Sequence, residues 1–166
     1  MHRSIPFVAP TVGHTVTMGT TLVICIGNLA RGDDGVGHEV ARLMRESEPV
    51  PDVVVLSATD LDVAMAEDVA AVDALVIVDA VRRGEPPVDV RALHAGPAPR
   101  PTGHGIDPAS LLAMSVALWG RCPRAFAVTV AAPEMGHGER LSATATSAAL
   151  EAVSVIRRIV GQAQTS

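Results

Sequence analysis

Thr21-Leu22-Val23-Ile24-Cys25-Ile26, followed by Gly27-Asn28-Leu29-Ala30-Arg31-Gly32-Asp33-Asp34-Gly35-Val36-Gly37, is the stretch on which the fold turns. Its first part is a continuous apolar, β-branched run that stops at Gly27, the pattern of a central parallel strand buried on both faces. A polar, glycine-rich turn follows. Val36, Val40, Leu43 and Met44 then recur at helical spacing, which predicts a helix to about Ser47, closed by Pro49 and Pro51.

Working outward, the same alternation of element types repeats. Val53 to Leu56 reads as a second strand, and Leu61 to Val69 as a short amphipathic helix with Thr59 or Asp60 as its cap. Ala74 to Val78 is the strongest strand pattern and ends at Asp79. Val88 to Leu93 reads as a further strand, which the neighbouring prolines put at a sheet edge. Gly96 to Gly105 is a Pro- and Gly-rich loop. Asp107-Pro108 then opens a helix to about Leu118 with an N-cap acid and proline at the first helical position. A strand over Phe126 to Val130 and a helix over Ser142 to Ile159 complete the chain. Strands alternating with helices predict a three-layer α/β/α sandwich on a mostly parallel twisted sheet, with one antiparallel edge strand allowed. No repeat or long linker divides residues 19–163, so they are expected to form a single domain, with residues 1–18 as a flexible extension.

Composition narrows the function classes. The chain has 166 residues, enough for a sizeable core, and 48% of them are hydrophobic. A net charge of −5 and a content of two Phe, one Trp and no Tyr leave neither a basic stripe nor stacking platforms, so nucleic acid is not an expected partner. No apolar stretch is long enough to span a bilayer, and the first eighteen residues lack a secretory pattern, so no membrane partner and a cytoplasmic location are expected. Cys25 and Cys122 are too few and too far apart for a disulfide framework or a zinc knuckle. Cys25 is expected to be a buried small hydrophobe.

In parallel sheets, sites form beyond the carboxyl ends of the strands, and this rule selects the candidate residues. The loop after the first strand has the placement of a dinucleotide fingerprint without its chemistry. The G-x-G-x-x-G spacing is absent, and Asp33 and Asp34 would repel a pyrophosphate while suiting a cation. One of these acids is expected to cap the helix; a cap needs only one, so the second is expected to face the cleft. Asp79 follows a wholly apolar strand, where a carboxylate is either paired, with Arg82 or Arg83 at hand, or free for a metal. His104, in Thr102-Gly103-His104-Gly105, is either a solvent-exposed loop residue or the third member of the group; His38, His94 and His137 are weaker candidates. Two carboxylates and an imidazole form a ligand set compatible with Ni²⁺ or Zn²⁺, with coordination positions left open.

These residues resemble the hydrogenase maturation proteases, endopeptidases that trim a C-terminal extension from the nickel-loaded large-subunit precursor of NiFe hydrogenases. The resemblance rests on strand-Gly27-Asn28-x-x-x-x-Asp33-Asp34-Gly35-x-Gly37, on Val78-Asp79-Ala80, and on Gly103-His104-Gly105 before Asp107-Pro108, in that order, over roughly residues 22–159. It implies that Asp34, Asp79 and His104 contact the metal. It also implies that the protein holds no permanent metal, and that the nickel arrives on the substrate's cysteine thiolates. Asp34 and Asp79 are the implied catalytic residues, in an aspartic-type grouping, and the implied partner is the large-subunit precursor. Two departures stand out: Ser57-Ala58-Thr59-Asp60 lacks the glycine-rich turn common in the family, and Ala132 stands where relatives often carry Glu. The rival expectations are a nickel-dependent checkpoint that binds the precursor without cutting it, and a flavodoxin-like nucleotide binder.

Overall fold

A strand with no polar face needs protein on both sides, and β1 (Thr21–Ile26) finds it between two parallel neighbours, β2 (Val53–Ala58) and β3 (Ala74–Val81). The computed structural model describes residues 20–83, 85–97, 101–102 and 105–164. Its main sheet has five strands in the order β2-β1-β3-β7-β4. β7 (Arg124–Ala131) runs parallel to β3, and β4 (Val88–Leu93) pairs with it antiparallel at the edge. Helices α1 (Val36–Glu46) and α4 (Ala143–Gln164) cover one face; α2 (Met65–Ala71) and α3 (Pro108–Trp119) cover the other. The sequence-predicted three-layer α/β sandwich with one antiparallel edge strand is what forms.

Side-chain alternation along each strand divides the core in two. Val23, Cys25, Val76, Val78, Val128 and Val130 meet α1 and α4, whose contact surface includes Ala145, Ala148, Ala149 and Ala152. Those alanines let the helix lie close to the sheet. On the opposite face Leu22, Ile24, Leu75 and Ile77 pack with Val69 of α2 and Leu111 and Leu112 of α3. Burying a side chain such as Ile24 or Leu111 fully contributes about 2 kcal/mol by transfer alone.

Several boundaries differ from the sequence-based expectation, each for a local reason. α2 begins at Met65 rather than Leu61, and neither Thr59 nor Asp60 caps it. Asp60 Oδ1 accepts from the Leu61 amide and Asp62 Oδ1 from the Ala64 amide, so two side chains hold the segment in turns before the helix starts. β3 continues through Asp79 to Val81 because β7 beside it also continues, with Asp79 opposite Thr129 and Val81 opposite Ala131. The proline-rich loop is partly structured, since β5 (Pro101–Thr102) and β6 (Gly105–Ile106) form a two-stranded ladder. α3 starts as expected: Asp107 accepts from the Ser110 amide and hydroxyl, and Pro108 opens the helix.

Chain order creates the crevice. From β1 the chain moves outward to β2, then returns across β1 to β3, so the connections diverge at the carboxyl ends of β1 and β3. The β1–β3 register ends at Cys25 opposite Val78, which leaves Asp79 immediately beyond it.

Candidate functional site

The loop after β1 is held by backbone contacts that only glycine permits. A Cβ on Gly27 would overlap the carbonyl oxygen of Asp34, and one on Gly37 would overlap that of Ile26. Gly32 has φ +59°, and the residues after it, Asp33 to Gly35, form one turn of 3-10 helix before α1. The Asn28 amide donates to the Asp34 carbonyl, and His38 Nε2 lies 2.8 Å from the Gly27 carbonyl oxygen, so His38 braces this loop.

The two adjacent acids of this loop do different work, and neither caps α1. Asp33 is fully buried. Its Oδ1 accepts from the Ser142 amide (2.6 Å), and its Oδ2 accepts from the Glu134 amide (2.9 Å) and the Ser142 hydroxyl (2.8 Å). Ser142 Oγ in turn accepts from the Ala145 amide at the start of α4. Asp33 therefore ties the β1–α1 turn to the β7–α4 connection, which also bridges it through the Gly32 amide and the Gly138 carbonyl. The expectation that one acid caps the first helix is corrected: the buried acid organises the last helix, more than a hundred residues away, a role invisible to local pattern. Asp34 is the half-exposed member, and its carboxylate lies 3.9 Å from the exposed guanidinium of Arg31.

Asp79 is reached by solvent from a cleft of about 220 Å³ whose lining includes Ile26, Asp60, Arg91, Asp107 and Thr129. Burial among these walls pushes its carboxyl up to about 6 against a hydrogen bond from the Ala80 amide, and the negative charges of Asp34 and Asp60 add to the rise. Asp34 and Asp79 thus lie within electrostatic reach across the switch point. Neither sequence-adjacent arginine neutralises Asp79: Arg82 donates to the Met135 carbonyl, and Arg83 to Thr129 Oγ1. Ile106 also lines the cleft, and Gly105 sits so close to Asp60 that a Cβ there would fall 2.6 Å from Oδ2. His104 lies outside the described residues, as does the extension over residues 1–18. Among the described residues no group of three His, Cys, Asp or Glu side chains is arranged to hold a metal ion.

Other candidates resolve simply. Cys25 is buried in the core, where desolvation pushes its thiol up to about 12 despite Arg45, so it is no nucleophile; Cys122 is exposed. His137 lines a separate hollow with Gly32, Glu134 and Arg140, and His94 is exposed. Ala132, a point of departure from the family pattern, is fully buried and donates its amide to the Val81 carbonyl. Sequence reading missed Asp60, Arg91 and Thr129 as cleft residues. The period-2 alternation of β7 and β4 puts Thr129 and Arg91 on the Asp79 face, but only once the strand order and register are known.

No helix among the described residues is long and apolar enough to cross a membrane. No protein-family model matches the sequence, and no curated protein matches it. Solved structures do match. The hydrogenase-maturating endopeptidase HybD from E. coli superposes with a TM-score of 0.68 at 18% identity, covering 86% of this chain and 93% of that one. The NiFe hydrogenase maturation protease HycI from Thermococcus kodakarensis KOD1 gives 0.65 at 23% identity, covering 86% and 93%. A hydrogenase 2 maturation peptidase from Thaumarchaeota archaeon SCGC_AB-539-E09 gives 0.62 at 20% identity, covering 86% and 98%. With 86% of this chain and 93–98% of each neighbour matched, the chain has the fold of the hydrogenase maturation proteases.

Proposed function

We propose that this protein is an endopeptidase that removes the C-terminal extension of a nickel-loaded NiFe hydrogenase large-subunit precursor, using the nickel on the substrate as its recognition element. The observation that carries this reading is the pair Asp34 and Asp79: among the described residues they are unneutralised apart from a long contact of Asp34 to Arg31, and they lie within electrostatic reach of each other in the fold of the maturation proteases. Two nearby carboxylates without a dedicated counter-ion favour a cation, and nickel held by substrate thiolates would supply one. Asp34, Asp79 and His104 are the proposed ligands. Alone they would bind a metal weakly; joined by substrate thiolates they complete its coordination, so cutting is tied to completed metal insertion.

For hydrolysis, Asp34 or Asp79 would serve as general base. The carboxylate takes a proton from water, the resulting hydroxide adds to the scissile carbonyl carbon, and the tetrahedral intermediate expels the amine, which leaves with that proton. The cation next to the carboxylates would offset the charge developing on the carbonyl oxygen. The acidic loop after β1 disfavours the rival nucleotide-binding reading, because the part-exposed Asp34 carboxylate lies at the entrance to α1, where it would repel a phosphate.

Incubation of the purified protein with nickel-loaded and nickel-free precursor, followed by intact mass measurement, tests the proposal. Release of a C-terminal peptide from the nickel-loaded form alone is the expected result. A stable complex without cleavage would replace the endopeptidase by a non-catalytic checkpoint.

A further inference from the structure

We propose that Arg91 is a substrate-anchoring residue, whose guanidinium takes a carboxylate of the polypeptide entering the cleft beside Asp79; the inference rests on the endopeptidase reading and extends it to substrate orientation. Arg91 stands on the edge strand β4 opposite Ala127 of β7, and Thr129, two residues further along β7, pairs with Asp79 of β3. Alternation therefore puts Arg91, Ala127, Thr129 and Asp79 on one face of the sheet, and Arg91, Thr129 and Asp79 all line the same cleft. Ala127 is the small residue between them, leaving room for a long side chain to lie across the cleft floor.

The polar groups of this cleft differ in how far they are already used. Both oxygens of Asp107 are held by Ser110, Asp60 Oδ1 accepts from the Leu61 amide, and Asp79 accepts from the Ala80 amide. Thr129 Oγ1 accepts from Arg83. Among the described residues, Arg91 alone of the charged cleft residues has no hydrogen bond or ion pair, and Asp89 on the same face of β4 is not within ion-pair distance of it. A guanidinium offers a planar fork of donors matched to the two oxygens of a carboxylate. Asp60, Asp79 and Asp107 would repel an anion elsewhere along the described lining, so among the described residues the Arg91 end is the place that accepts it. This gives the cleft a direction: the cation-bearing part of the substrate lies toward Asp34 and Asp79, and an anionic part toward Arg91. That anion is an acidic side chain or the free C-terminus of the substrate, and the two have the same chemistry.

Steady-state processing of nickel-loaded precursor by wild type, Arg91→Lys and Arg91→Gln tests the assignment. Because Arg91 is exposed and has no partner among the described residues, both variants are expected to melt within a degree or two of wild type. Arg91→Gln is expected to raise KM about tenfold, with the loss on KM rather than kcat, and Arg91→Lys to recover part of it. Neutralising the acidic side chains of the extension, or displacing its terminal carboxylate with added neutral residues, identifies the source: the correct change reproduces the KM rise in wild type and adds nothing in Arg91→Gln. A KM within about twofold of wild type, or a loss carried by kcat alone, overturns the assignment. If wild type fails to process the precursor at all, the endopeptidase reading falls. Arg91 is then judged by calorimetric binding of the nickel-loaded precursor, where equal affinity in wild type and Arg91→Gln overturns it.

Discussion

Replacing Asp33 by alanine should cost far more stability than replacing its neighbour Asp34, although the two are adjacent acids in one loop. Asp33 is fully buried and receives three hydrogen bonds from Glu134 and Ser142. A bond to a charged group contributes about 1.5 kcal/mol net at the low end, so losing three costs roughly 4–5 kcal/mol. Ser142 is only half-buried and its hydroxyl can recover a water, which brings the expected loss to about 4 kcal/mol. For a chain of this size a urea slope near 2 kcal/mol/M converts that loss to a midpoint lower by about 2 M. Asp33→Asn keeps the shape but sets an amide N–H against a backbone N–H, and should fall between, near 2 kcal/mol. Asp34→Ala removes a half-exposed carboxylate whose ion pair to Arg31 spans 3.9 Å, so the expected change is within about 0.5 kcal/mol. Urea unfolding followed by far-UV circular dichroism measures all three variants. A midpoint drop below about 0.5 M for Asp33→Ala, or equal drops for Asp33→Ala and Asp34→Ala, would refute the division of labour between these acids.

Asp79→Asn should abolish processing yet stabilise the metal-free protein. The Asp79 carboxyl is raised to about 6, so its ionisation opposes folding: its contribution is favourable below the ordinary carboxylate range and is lost as pH rises through about 6. The raw shift corresponds to about 3 kcal/mol, which solvent access to the group reduces to ~1 kcal/mol. Thermal melts should therefore show the variant ahead of wild type at pH 8 and level with it at pH 4; a variant less stable at pH 8 contradicts the account. Gly37→Ala sets a methyl against the Ile26 carbonyl, where backbone has to move, and should lower stability by at least ~2 kcal/mol in chemical denaturation. Asp107→Ala removes the N-cap of α3 and should cost about 1 kcal/mol. Ser110 holds the Asp107 carboxyl below its ordinary range through its hydroxyl and its amide. That stabilisation is present at neutral pH and disappears as pH falls through the lowered value, so variant and wild type should converge in strong acid; a gap that persists there would point to packing rather than the cap.

Local patterning made most of the architecture legible. Thr21 to Ile26 lacks any polar face, and a strand of that kind has to be central, where the structure puts it. Asp107-Pro108 marks a helix start through capping chemistry that needs no tertiary partner, and it was readable to the residue. Val88 to Leu93 was legible as an edge strand for the same kind of reason, the prolines before it lacking amide donors. The glycine-rich turn after β1 was legible as a turn, and the overlaps at Gly27 and Gly37 show why glycine is required there.

Roles set by distant partners stayed hidden. Which of Asp33 and Asp34 is structural depends on Ser142 and Glu134, more than a hundred residues further along, and nothing in the loop itself marks the choice. Asp60 reads locally as a helix cap and spatially as a wall of the cleft, while Arg91 gains meaning only from a register that crosses two strands to Asp79. Backbone propensity and solvent patterning act over a few residues and can be read along the chain. The charge around a carboxylate is summed over whatever folding brings near, so it becomes readable only in three dimensions.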